Sequence, residues 1–122
     1  MLSDKNLKAF VPTTNPKLAM AFYNGILGLT LLTEDDYALE FDANGTLLRV
    51  TIVKEFRPQS FTILGWDVSD IHEVIKSLNI NGIECNKYDF LEQDSSGVWI
   101  SPGGSKVAWF KDPDGNVLSL TE

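Results

Sequence analysis

The strongest constraint on the fold is a pattern of secondary structure that occurs twice along the chain. A strand predicted over residues 7–13 leads into a helix that begins at Asn15, a favourable N-cap residue followed by a proline. A strand predicted over residues 61–68 leads in the same way into a helix that begins at Asp70. About three strand candidates follow each helix. The repetition predicts two modules, each with one sheet face that its single helix leaves uncovered.

Apolar residues mark one face of each predicted helix. In the first helix Leu18, Phe22 and Ile26 recur at intervals of four residues. The corresponding face of the second helix holds Ile71, Val74, Ile75 and Leu78. Residues 83–88, which follow the second helix, are predicted to form a strand. A curved mixed sheet with its helices outside and a cleft inside would accommodate this arrangement.

The length and composition are those of one globular domain. The chain has 122 residues, of which 43% are hydrophobic and 22% charged. Residues 1–122 are predicted to form a single domain in which the first module covers about 5–54. A linker containing Pro58 covers residues 55–60, and the second module covers about 61–122.

Charge and cysteine content exclude several classes of function. The net charge of −7 argues against a nucleic-acid partner, because phosphate binding needs clustered lysine and arginine. The one cysteine, Cys85, rules out an intramolecular disulfide and makes a cysteine-based zinc site implausible. No apolar stretch approaches the ~20 residues of a membrane span, and the first residues lack the apolar core of a signal peptide. We therefore expect a cytoplasmic protein with no membrane partner.

Three segments resemble the vicinal oxygen chelate superfamily, which includes glyoxalase I, the bleomycin resistance proteins and the extradiol dioxygenases. They are FYNGILGLTLL at 22–32, GWDVSDI at 65–71 and FKDPDGNVLSL at 110–120. The resemblance covers nearly the whole chain. It implies an α+β fold of two βαβββ modules that form a curved mixed sheet with a central cleft. It also implies a homodimer and, in the metal enzymes of the superfamily, a divalent ion held in the cleft by His, Gln or Glu.

The metal-ligand positions implied by this resemblance carry residues that do not bind metals. Carried over one by one, they fall near Lys8, Arg49, Ile63 and Ser119. Two of these side chains are cations, which would repel a divalent ion. The one histidine, His72, is predicted to lie on the solvent side of the second helix. We therefore expect no metal and no other cofactor.

Strand alternation predicts which side chains face the cleft instead. In TLLRVTIV, Arg49 and Thr51 point to the face opposite Leu48, Val50 and Ile52. The same alternation directs Lys8, Phe10, Ile63 and Ser119 to the cleft, and the two large aromatic residues Trp99 and Trp109 are predicted to form its wall. The predicted ligand-binding set is Lys8, Phe10, Arg49, Thr51, Ile63, Trp99, Trp109 and Ser119.

Two interpretations of Arg49 remain open at this point. Together with Lys8 it could bind a carboxylate or phosphate of a ligand, because a guanidinium donates two parallel hydrogen bonds to such groups. Alternatively, Arg49 pairs internally with Glu40 or Asp42 while Lys8 extends to solvent. The net charge of −7, in contrast, favours a cationic ligand.

The sequence thus favours a metal-free protein that sequesters or senses a small organic compound, with no catalytic residue assigned. One alternative is a glyoxalase-like lyase or isomerase, or a dioxygenase-like enzyme, with an atypical site. Without a metal, such an enzyme would need acid–base chemistry from Glu92 or Asp94. A second alternative is a non-catalytic dimeric interaction module whose cleft is filled by its own side chains.

Overall fold

The computed structural model describes all 122 residues, which divide into two compact units. Unit 1 comprises Met1–Arg57 and unit 2 comprises Pro58–Glu122. Each unit contains one four-stranded mixed sheet. Neither unit has a helix long and apolar enough to cross a membrane.

The sheet of unit 1 has the strand order β1-β4-β3-β2. Strand β1 pairs in parallel with β4, and the other two pairings are antiparallel. The elements in chain order are β1 (Lys8–Thr13), α1 (Pro16–Met20), a π-helix (Ala21–Ile26), β2 (Thr30–Glu34), β3 (Ala38–Ala43) and β4 (Thr46–Ile52).

Unit 2 repeats this topology. Its sheet has the order β5-β8-β7-β6, with β5 parallel to β8 and the remaining pairs antiparallel. Its elements are β5 (Thr62–Asp67), α2 (Ile71–Ile80), β6 (Trp99–Ile100), β7 (Lys106–Lys111) and β8 (Val117–Thr121). The predicted α+β fold of two βαβββ modules is therefore confirmed.

The first helix differs from its predicted form. After Asn15 caps α1 by accepting the N–H of Leu18 at 3.2 Å, the helix widens into π-helical geometry. Its buried side chains are Ala19, Phe22 and Tyr23, while Leu18 remains 51% exposed and Ile26 is only half-buried. The prediction was right for Phe22 and wrong for Leu18, because residues three and four apart share a helix face, whereas an interval of four repeated twice drifts around the axis.

The second helix has the predicted face. The Asp70 side chain accepts the N–H of Glu73 at 3.2 Å and fixes the start of α2. Its buried side chains are Ile71, Ile75 and Leu78, and Val74 is half-buried. The helix ends before Gly82, whose φ of +81° is the left-handed geometry that favours glycine.

The strand predicted over residues 83–88 does not form. The backbone of this segment makes a single hydrogen bond to the sheet, from the N–H of Asn86 to the carbonyl of Trp109 at 2.7 Å. The side chain of Gln93 provides further partners: its amide donates to the carbonyls of Asn86 and Gly97, and its oxygen accepts the N–H of Tyr88. A side chain thus provides the hydrogen bonds that a strand ladder would have supplied.

Each sheet has one buried face and one face that is less buried. In β4, Leu48 and Val50 are fully buried while Arg49 and Thr51 are half-buried. We call the less buried side of each sheet its open face. The open face of unit 1 carries Lys8, Phe10, Glu40, Arg49 and Thr51, and the open face of unit 2 carries Gly65, Val107, Trp109, Ser119 and Thr121.

Candidate functional site

The hairpin that closes unit 2 is fixed by a buried carboxylate. Asp112 is 5% exposed and accepts the backbone N–H groups of Asp114 at 3.0 Å and Asn116 at 2.9 Å. It also accepts the side-chain amide of Asn116 at 2.9 Å. Gly115 follows with a φ of +89°. This turn sets the register that places Ser119 opposite Trp109.

Ser119 lies in a row of three side chains that decrease in size across the sheet. Trp109 of β7 and Gly65 of β5 are its two neighbours in the ladder. A Cβ added to Gly65 would lie 2.5 Å from the Ser119 hydroxyl oxygen, which is too close for any real contact. The serine hydroxyl therefore occupies the space that the glycine leaves, and the row has a large ring at one end and bare backbone at the other.

Aromatic rings cluster around Trp109. The ring of Trp99 lies 6.0 Å away at a tilt of 35°, and Tyr88 contacts Trp109 edge-on at 5.5 Å. Phe90 extends the cluster, 5.5 Å from Tyr88, and is 81% exposed. The two predicted wall residues, Trp99 and Trp109, thus come together. Tyr88 and Phe90 were missed, because their segment was predicted as a strand and a loop, and only their aromatic character signalled a role.

An ion pair dominates the open face of unit 1. The Arg49 guanidinium donates to Glu40 Oε2 at 2.9 Å, and the Lys8 ammonium lies 3.9 Å from the same oxygen. Thr33 donates to the other carboxylate oxygen at 3.2 Å. The hydrogen bond from Arg49 is the main cause that lowers the pKa of Glu40, and it outweighs the opposite effect of desolvation. The internal pairing that the sequence left open is therefore present.

Phe10 and Thr51 complete the predicted group in unit 1. Phe10 pairs with Arg49 in the β1–β4 ladder, is 60% exposed, and has the Lys8 ammonium 6.0 Å from its ring centroid. Thr51 lies two residues along β4 from Arg49 on the same open face. The structure therefore brings Lys8, Phe10, Arg49 and Thr51 together and adds Glu40, which sequence alternation could have placed beside them.

Ile63 has a different setting from the other predicted site residues. The register between β5 and β8 shifts between Thr62 and Leu64, so that Ile63 is the extra residue of a bulge. Gly65, not Ile63, lies opposite Ser119 in this ladder. A bulge of this kind interrupts the two-residue alternation, which is the only signal that a sequence offers for strand faces.

The four positions at which the superfamily would place metal ligands do not fit a divalent ion. Lys8 and Arg49 are cations, and Arg49 already bonds Glu40. Ile63 has no donor atom, and Ser119 offers one neutral hydroxyl. No group of three or more His, Cys, Asp or Glu side chains in the chain is arranged to hold a metal. These four side chains therefore do not provide a ligand set for a divalent ion.

Unit 2 also carries a cysteine, a histidine and two loop carboxylates. Cys85 is buried, and its desolvation raises the pKa of the thiol, which disfavours a nucleophilic role. His72 is exposed, as predicted, and its Nε2 lies 2.9 Å from Asp94 Oδ2. Glu92 is exposed in the same loop as Asp94.

The fold has many relatives among solved structures. A glyoxalase family protein from Enterococcus faecalis is 26% identical, with a TM-score of 0.74 and complete coverage of both chains. A member of the glyoxalase/bleomycin resistance protein/dioxygenase superfamily from Sphaerobacter thermophilus is 20% identical, covers 100% of this chain and 99% of its own, and has a TM-score of 0.77. The first of these neighbours supports membership of the vicinal oxygen chelate superfamily, and the second shows the same fold.

The other comparisons set the limits of this similarity. A lactoylglutathione lyase from Agrobacterium tumefaciens has a TM-score of 0.77 and covers 100% of this chain and 96% of its own, but at 14% identity it shows the fold alone. No family model and no curated protein sequence matches the chain. Within the vicinal oxygen chelate superfamily, function must therefore be inferred from the side chains of the two open faces.

Proposed function

We propose that this chain is a metal-free binding protein of the glyoxalase/bleomycin resistance type that sequesters or senses a small organic compound. One observation supports this most: the positions that relatives use for metal ligands hold Arg49 and Ser119, on sheet faces that also carry exposed aromatic rings. Apolar walls with a few fixed polar groups are the usual composition of small-molecule sites.

Arg49 is the residue that would orient the ligand. It uses a single N–H group in its bond to Glu40, and its other N–H groups have no protein partner. The pairing with Glu40 therefore orients the guanidinium without exhausting it. A ligand carboxylate or phosphate could accept two of the free N–H groups, with Lys8 adding a second positive charge and Phe10 an apolar contact.

The aromatic cluster of unit 2 would provide a stacking surface of its own on the open face of that unit. Trp99 and Trp109 present tilted rings, and the hydroxyl of Ser119 is the neighbouring polar group. The binding residues that we propose, unit by unit, are the predicted ones, extended by Glu40 in unit 1 and by Tyr88 in unit 2. We further propose that the protein acts as a cytoplasmic homodimer, which sedimentation of the purified chain would test.

Two alternatives have less support. An enzyme without a metal would need acid–base chemistry from Glu92 or Asp94, and the carboxylate of Asp94 is already engaged by His72 and by the backbone N–H groups of Ser96 and Val98. An interaction module with a self-filled cleft would require Phe10 to be covered, whereas Phe10 is 60% exposed. Neither alternative explains the free N–H groups of Arg49.

A binding experiment on protein stripped of metal with EDTA tests the proposal. Benzoate and phenylphosphonate serve as anionic aromatic probes, and nuclear magnetic resonance measures the shifts of the Arg49 and Trp109 side chains. We expect saturable binding without metal, loss of that binding in Arg49→Gln, and no loss in Lys17→Gln, which removes an exposed positive charge on α1. Binding that appears only after nickel, zinc, manganese or iron is restored would contradict the proposal.

A further inference from the structure

A groove of about 440 Å³ lies in unit 2, at the edge of the sheet formed by β6. Ile100 of β6 pairs with Lys106 of β7, and both line the groove. Successive side chains of β7 point to opposite sides of the sheet. Lys106 therefore points to the same side as the buried Ala108, opposite to Val107 and Trp109. The groove is therefore at the helix side of the sheet edge.

The walls of the groove are held in place by Asp94. Its Oδ1 accepts the backbone N–H groups of Ser96 and Val98, each at 2.9 Å, and its Oδ2 bonds His72. Lys87 donates to the backbone carbonyls of Asp94 and Ser95. Partial burial raises the pKa of Asp94, but the hydrogen bonds from His72, Val98 and Ser96 outweigh it and keep the pKa below its ordinary value. The loop is therefore preorganised.

The polar atoms that remain free in the groove are acceptors. An ionised carboxylate only accepts hydrogen bonds, so Nε2 of His72 carries the hydrogen shared with Asp94, and in the neutral imidazole Nδ1 is left as an acceptor. The carboxylate of Glu92 makes no hydrogen bond or ion pair. The one cation of the groove, Lys106, is paired with Glu122 at 3.2 Å. The unbalanced charge is therefore negative.

The groove also offers apolar contacts. Ile100 is 64% exposed although it is a large aliphatic residue, and Trp99 and Val98 lie beside it in the lining. An apolar wall next to an unpaired carboxylate suits a ligand that has an ammonium group and a hydrocarbon body. Such a ligand would donate N–H groups to Glu92 and to Nδ1 of His72.

We propose that this groove is a second binding site, distinct from the Arg49 row on the open face of unit 1, which takes a small organic cation. The assignment reconciles two features of the chain that indicate opposite ligand charges. Arg49 on the open face of unit 1 suits an anion, whereas the net charge of −7 suits a cation. If the chain has one site for an anion and another for a cation, Arg49 and the negative net charge are both accounted for.

The test uses the full chain at pH 7 with three probes of one shape: benzylamine, benzyl alcohol and benzoate. Nuclear magnetic resonance follows the backbone N–H signals of His72 and Ile100, which belong to the groove and not to the open face. We expect benzylamine to shift these signals with saturation, and the neutral alcohol and the anion to leave them unchanged. Glu92→Gln should weaken benzylamine binding about fivefold, the typical effect of losing an exposed ion pair.

Two further variants make the result decisive. Ile100→Ser should also weaken benzylamine binding, because it removes the apolar wall, whereas Glu84→Gln removes an exposed carboxylate outside the groove and should have no effect. Equal binding of benzyl alcohol, or equal weakening by Glu84→Gln, would overturn the proposal. Arg49→Gln should leave benzylamine binding intact, so failure at this groove and failure of the proposed anion-binding function are distinguishable.

Discussion

The two units place different chemistry on equivalent rows of their open faces. In unit 1 the last strand contributes Arg49, with Phe10 beside it on the parallel strand and Glu40 on the antiparallel strand. In unit 2 the last strand contributes Ser119, with Gly65 and Trp109 on the corresponding sides. One topology thus carries an ion pair in the first unit and an aromatic ring beside bare backbone in the second.

The buried faces of the two units differ much less. Leu48 and Val50 in unit 1 and Leu118 and Leu120 in unit 2 are fully buried at alternating positions of the last strand. Burial of these apolar side chains fixes the register of each sheet, and a shift by one residue would expose them. The open faces are free of this constraint, which explains why they can differ while the topology is retained.

The largest effect should come from the helical layer that covers the sheet of unit 1. Phe22→Ala removes a ring that is 3% exposed, and we expect the free energy of unfolding to fall by about 3–5 kcal/mol. Leu18→Ala, at a side chain 51% exposed, should cost about 1 kcal/mol or less. Hydrogen exchange of the β4 amides measures both variants. Equal losses would mean that the predicted helix face, not the observed one, is buried.

The turns before the last strand of each unit provide the next comparison. Asp112 is buried and accepts at least three hydrogen bonds, whereas Asp42 is exposed and accepts the N–H of Gly45 at 2.8 Å. We expect Asp112→Ala to cost about 2–4 kcal/mol and Asp42→Ala about 0.5–1 kcal/mol. Tryptophan fluorescence reports the first variant, because all three tryptophans lie in unit 2. Amide exchange in β4 reports the second variant. Equal losses of unfolding free energy in the two variants would show that the two turns do not differ in their contribution to stability.

Sequence periodicity was sufficient to predict the faces of β4 and α2. It placed Arg49 opposite the buried Leu48 and Val50, and it selected the buried face of α2, because each pattern depends only on neighbours within one element. The α+β fold of paired modules followed from the repetition of such elements.

It failed where a nonlocal contact decided the geometry. The bulge at Ile63 depends on how β5 meets β8, and the irregular segment before Phe90 depends on the Gln93 side chain. The widening of the first helix into a π-helix had no signal in the spacing of its apolar residues. The candidate site was therefore only partly predictable: its strand residues followed from alternation, whereas Tyr88 and Gly65 required the folded chain.

A smaller effect should come from the packed row of unit 2. Gly65→Ala places a Cβ 2.5 Å from the hydroxyl oxygen of Ser119, and we expect a loss of about 1–3 kcal/mol from overpacking. Removing that oxygen as well, in Gly65→Ala with Ser119→Ala, should restore most of the stability. Gly103→Ala, which meets no atom closer than 3.9 Å, is the matched control. Urea unfolding followed by tryptophan fluorescence measures the stability of each variant. If the double variant were no more stable than Gly65→Ala, the close packing of Gly65 against Ser119 would be refuted.

The smallest effect should come from the ion-paired row of unit 1, and it should depend on pH. The hydrogen bond from Arg49 lowers the pKa of Glu40 in the folded state below its ordinary value of 4.5. A lowered carboxyl pKa contributes stability that is present above the unfolded-state value and is lost as the pH falls through the folded-state value. Wild type should therefore melt at a slightly higher temperature than Glu40→Gln at pH 7, and the difference should vanish below pH 4.5 as Glu40 becomes protonated. The pH profile of Asp42→Asn is the control, because that carboxylate lies on the same strand without an Arg49 partner. A melting-temperature difference that stayed constant down to low pH would mean that Glu40 contributes through packing and not through its charge. The row of unit 1 would then not differ from the packed row of unit 2 in the way that we infer.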